Sequence, residues 1–124
     1  MQLSHDEFED LVVAALDSLP EELLGLMENV DVTIERWPTQ NHLDDVGIRR
    51  GTLLGLYQGI PLTERHSSSY NLVVPDKITI FQRPIEQICS THDEVVDQVR
   101  KTVVHEVAHH FGIGEETLRE LGWG

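Results

Sequence analysis

Three histidines and three glutamates fall between His105 and Glu116, in the run VVHEVAHHFGIGEETL. A neutral imidazole nitrogen ligates a metal and a carboxylate accepts a proton, so a cluster of both carries what metal-assisted hydrolysis needs. Spacing decides whether the parts can meet. On a helix of about 100° per residue, with His105 at zero, His109 falls at about 40° and Glu106 at about 100°. The two rings share a face, one turn apart, which suits two nitrogens gripping one Zn²⁺. Glu106 sits on the flank of that pair, where a carboxylate can reach a metal-activated water without ligating the metal itself. The plain alternative is three solvated side chains on a helix surface.

A catalytic zinc usually takes three protein ligands and a water. His92 lies on the same helix at about 1.5 Å per residue, roughly 20 Å away, too far to serve. Gly112 can take a positive φ and turn the chain. Glu115 follows three residues later, completing H-E-x-x-H-x-x-G-x-x-E. It is the expected third ligand, with Glu116, Glu120 or a loop carboxylate as alternatives. Glu115 and Glu116 could equally do no more than complement the positive end of the last helix. His110 falls at about 140°, inside the apolar arc of the helix. It is expected to be buried or half-buried, hydrogen-bonded to a carbonyl beneath the site, with support of a ligand from behind as its sharper role.

The elements that must position these residues follow from periodicity. Ser4 and Glu7 fit a capping box, and Phe8, Leu11, Val12, Ala15, Leu16 and Leu19 recur at helical spacing. Pro20 and EELLGLMENV predict a short second helix, with Pro20 in its first turn. Val30 to Arg36, Thr52 to Ile60 and Lys77 to Arg83 read as strands, the last stopped by Pro84. The stretches 38–50 and 61–76 read as long irregular loops, the kind that gate clefts or bind partners. Thr91 and Glu94 cap a helix running to about Phe111, with Val95, Val96, Val99, Val103 and Val107 on its apolar side. A short last helix ends at Gly122. The order α, α, β, β, β, α, α predicts an α+β fold, a small sheet with helices against it.

Composition bounds the rest. At 124 residues and 40% hydrophobic content, the chain is expected to form one domain over 1–124. The formal charge of −13 argues against nucleic acid, because a phosphate backbone would be repelled and a pair such as Arg49-Arg50 is too small a basic footprint. No run of 18 apolar residues predicts a membrane span. The acidic start MQLSHDEFED is unlike a secretory signal, and the single Cys89 has no intrachain partner, so a cytoplasmic location is expected.

At HEVAHHFGIGEETLRELGW the chain resembles the minimal zincins, compact zincin-like metallopeptidases that are mostly bacterial. The likeness extends through LLGLYQGIPLTER, PDKITIFQRPI and VVDQVRKTVVHEVAHHFGI, from about Thr52 to the end. It implies a small sheet over the active helix, a cleft beside an edge strand, one Zn²⁺ on His105 and His109, and Glu106 as general base. The family motif continues to an acidic residue or histidine, here Glu115. The methionine turn of the metzincins is missing, since Met1 and Met27 both precede the motif.

The expected function is thus peptide-bond hydrolysis by a zinc metallopeptidase. Tyr57, Tyr70, His66 and Arg65 are candidates to contact substrate or stabilise the transition state. A peptide or protein substrate would lie along TLLGLYQGI or KITIFQRPI if either is an edge. Two other readings stand beside this one: a catalytically idle, metal-bearing peptide-binding module, and a site for Fe²⁺, Mn²⁺ or Ni²⁺. A shared carboxylate ligand implies modest affinity, so purified protein can be empty of metal.

Overall fold

A computed structural model describes residues 1–45, 53–59 and 75–123. Among them are six helices and three strands. In chain order these are α1 (His5–Asp17), α2 (Glu21–Leu26), β1 (Val30–Glu35), α3 (Gln40–Asp45), β2 (Gly55–Gln58), β3 (Asp76–Phe81), α4 (Gln82–Ile88), α5 (His92–His110) and α6 (Glu115–Leu121). The fold is α+β, as expected. No helix among the described residues is long and apolar enough to cross a membrane.

The helix starts follow local chemistry. The Ser4 hydroxyl accepts from Glu7 N–H at 3.1 Å, and the Glu7 carboxylate reaches back to Ser4. At α5, Thr91 accepts from Glu94 N–H at 3.1 Å, while the Glu94 carboxylate accepts from Ser90 N–H, one residue earlier than a strict capping box. Pro20 is the N-cap of α2 and lies just outside the first turn.

Three expectations change. The stretch read as loop from Pro38 contains α3, held at its start by Thr39 and His42 bonding each other. The third strand ends at Phe81, and Pro84 does not stop it. It lies instead in the first turn of α4, where its missing N–H costs nothing. The second strand spans Gly55 to Gln58, and Thr52 and Ile60 lie outside the described residues, as does most of the stretch from Pro61.

The sheet order is β1-β3-β2, with β1 parallel and β2 antiparallel to β3. Among the described strands β2 and β1 are the edges, so DKITIF, which forms the centre, cannot supply one. Ile78, Thr79, Ile80 and Phe81 are all fully buried, the continuous pattern of a strand covered on both faces.

Helix α5 packs against α1, α4, β2 and β3. Val95, Val99, Val103, Val104 and Val107 on it are fully inaccessible. Valine costs a helix roughly half a kcal/mol per residue relative to alanine, but burying each side chain returns about 1.5–3 kcal/mol. Tertiary packing therefore makes this segment helical despite its β-branched content. Phe8, Val12 and Ala15 of α1 complete the core beside these valines.

Candidate functional site

Helix α5 carries His105, Glu106 and His109 in its last two turns, where its buried side gives way to solvent. His105 and His109 are exposed and Glu106 is half-buried. Among the described residues neither of these imidazoles makes a hydrogen bond or ion pair, which leaves their ring nitrogens open to a ligand.

Glu106 is tied down. Its Oε1 accepts from the backbone N–H of Tyr57 on β2 at 2.9 Å. The sheet explains why that N–H is available. Phe81 N–H donates to the Leu54 carbonyl, which makes 54/81 a bonded pair; antiparallel alternation then turns the Tyr57 backbone away from β3. The outward N–H meets the carboxylate of the helix beneath.

Gly55 permits the approach. A Cβ there would stand 2.6 Å from Thr102 Cγ2 and 3.2 Å from the Thr79 carbonyl. Thr102 cannot retreat easily, because its hydroxyl donates to the Gln98 carbonyl at 2.8 Å and the residue is buried. A glycine is thus required where β2 crosses α5.

Two cavities meet at this crossing. One, of about 350 Å³, is lined by Leu53, Gly55, Gln98, Lys101, His105 and Glu106 among others. The other, of about 440 Å³, is lined by Leu53, Gly55, Tyr57, Glu106, His109 and His110. Glu106 and Gly55 border both, so a groove follows β2 with the carboxylate at its middle, His105 on one side and His109 and His110 on the other.

His110 departs from its expected place. It is not inside the apolar arc: its side chain is 38% exposed and stacks on Tyr57, with ring centroids 4.0 Å apart. Its Nε2 lies 3.9 Å from Asp76 Oδ2, and no carbonyl bond is formed among the described residues. The Tyr57 hydroxyl donates to the same Asp76 oxygen at 2.7 Å. The wheel set His110 among the apolar positions of the helix by angle alone. It could not show that the sheet stops short of the last turn, leaving the ring on the groove wall. Asp76 was missed altogether, because nothing in VVPDKITI distinguishes a strand-opening aspartate from a turn residue.

Gly112 adopts φ 71° and ends α5 in a Schellman turn, with Ile113 N–H donating to the Ala108 carbonyl and Gly112 N–H to that of His109. That reversal leads into α6. Glu115 and His105 then line one pocket of about 220 Å³ together with Leu118 and Arg119. Among the described residues, no three His, Cys, Asp or Glu side chains are gathered to enclose an ion. The donor types nonetheless fit zinc, two imidazoles at i, i+4 with the Glu115 carboxylate six residues after the second. Tyr70, His66 and Arg65 lie outside the described residues.

A sequence model described as zincin-like metallopeptidase matches residues 27–123 of this chain. Among solved structures, a conserved hypothetical protein from T. thermophilus is similar in fold, with a TM-score of 0.55 and 20% identity. The match covers 88% of this chain and 94% of that one. No curated protein matches.

Proposed function

The chain belongs to the zincin-like metallopeptidase family, and from that premise we propose that it hydrolyses peptide bonds at the groove beside β2. The observation that carries this reading is the bond from Tyr57 N–H to Glu106. It holds the one carboxylate between two exposed histidines against β2, an edge among the described strands, beside which an extended peptide would lie.

His105 and His109 would hold a divalent cation, with Glu115 as the proposed third ligand from α6. Zn²⁺ there would supply Lewis acidity, polarising a carbonyl and making water nucleophilic near neutral pH. Glu106 accepts the proton of the attacking water and delivers it to the departing amine. Tyr57 N–H keeps the carboxylate turned into the groove throughout. The stacked rings of Tyr57 and His110 form one wall, against which a substrate side chain can rest. Because the Tyr57 hydroxyl is engaged by Asp76, the ring acts in this reading through its face.

The test is elemental analysis of protein purified without added metal, followed by a peptide-library assay on zinc-loaded material. Glu106→Gln is expected to keep its metal and lose hydrolysis by about 10²–10⁴-fold. His105→Ala is expected to lose both. A Glu106→Gln variant as active as the parent would remove the proposed base. Stoichiometric peptide binding without turnover would favour a binding module, and iron, manganese or nickel in the protein would reassign the cation.

A further inference from the structure

The sheet has a second edge, remote from the candidate site. β1 pairs only with β3 among the described residues, on the side opposite β2. Asp76 N–H donates to the Asn29 carbonyl, which sets the phase of the parallel ladder. Residues 31, 33 and 35 then bond to β3, and Val32 and Ile34 turn their N–H and C=O groups outward. Their side chains, with Val12, Val13 and Leu16 of α1, line a cavity of about 420 Å³ whose rim carries His5, Glu9 and Thr33. Val13 is 50% exposed there, a large apolar side chain on an otherwise acidic helix. The opposite face of β1 presents Asp31 and Glu35, both exposed, the Glu35 carboxylate lying 3.5 Å from His42 Nε2.

We propose that this edge is a docking site for an extended basic segment of a partner protein, one in which apolar residues alternate with lysine or arginine. An added strand would bond through the outward groups of Val32 and Ile34. Its side chains alternate between faces, so one set enters the apolar groove and the other lies beside Asp31 and Glu35. Charge complementarity selects the occupant. A second copy of this chain, paired antiparallel about Thr33, would match Val32 to Ile34 in a bonded pair. The same register sets Asp31 directly opposite Glu35 twice, between molecules that each carry −13. A basic strand meets neither penalty. The feature is independent of the proposed hydrolysis and stands whether or not that activity is found.

The full chain should be titrated with a capped peptide of four Lys-Val repeats, with amide shifts followed by NMR. Controls are a shuffled peptide of the same composition and a peptide of Glu-Val repeats. Shifts centred on Val32, Ile34 and Val13 are expected, weakening as salt rises. The Asp31→Lys, Glu35→Lys double variant is expected to lose at least tenfold in affinity for the lysine peptide and to gain for the glutamate one. Equal binding of the shuffled peptide would reduce the effect to unspecific attraction and overturn the proposal. So would shifts centred on β2, or unchanged affinity in the double variant. Concentration-dependent dimerisation of the parent through β1, seen by sedimentation, would make a second copy the occupant instead.

Discussion

At the scale of single residues, the site rests on one position without a side chain. Gly55→Ala would drive a methyl into Thr102, whose own hydroxyl is pinned to Gln98. Overpacking of this kind costs about 1–3 kcal/mol, and the strand can relieve it only by lifting off α5. Hydrolysis is therefore expected to fall more than zinc affinity, because the lift breaks the Tyr57–Glu106 bond and leaves both imidazoles in place. Calorimetric zinc titration beside kcat/KM measures the split. Cys89 is the other informative residue. Burial, and after it the Glu94 and Asp97 carboxylates, push its thiol up, with the N-terminal ammonium opposing them. Alkylation at neutral pH is expected to be slow in the native chain and to become fast in urea, followed with a chromogenic thiol reagent. The sign for stability follows: whatever this thiol contributes is intact below the ordinary thiol range. It is lost as pH rises past that range, because only the unfolded chain readily sheds the proton there.

At the scale of elements, the turn after α5 links two parts of the proposed metal site. Gly112 sits at φ 71° with open space where a Cβ would go, so a substitution meets backbone strain and no clash. Gly112→Ala is expected to cost about 1 kcal/mol, the usual penalty for a left-handed non-glycine residue, visible as a lower urea midpoint. If Glu115 ligates, the variant should also bind zinc more weakly, since the Schellman turn aims α6. If zinc affinity is unchanged while stability falls, Glu115 is not a ligand. The same turn was legible beforehand, because a glycine after a periodic helix has one common use. α4 was not legible. Its seven residues carry no side-chain cap, and its proline resembled a strand stop. Glu86, 1% exposed, receives the Gln82 amide and the Arg83 guanidinium from within α4 and the Leu3 N–H from across the chain, and that last, tertiary bond is the one no local pattern shows.

Across the whole molecule, that buried carboxylate ties the N-terminus to the far end of the sheet. Gln82 also donates to the Leu3 carbonyl, so the first residues are stitched to α4 across a long separation in sequence. Glu86→Ala would strand the Leu3 N–H and the half-buried Arg83 without their acceptor. A loss of about 3–5 kcal/mol is expected for breaking one partner of such a buried pair, measured by urea unfolding. Glu86→Gln, which keeps an acceptor, should lose less. The fall should leave zinc affinity unchanged under native conditions, because Glu86 lies on an element that does not line the groove.

The sequence by itself determined the α+β class, both capped helices, the glycine turn and the His-Glu-His spacing. Each of these is a local property: a cap, a period or a φ preference acts within a few residues. Only the tertiary structure decided which strand is an edge, that Tyr57 serves Glu106 through its backbone, and that His110 faces the groove. Those facts depend on sheet order and on how closely β2 crosses α5. That closeness turns on a contact between Gly55 and Thr102, residues that no local pattern connects.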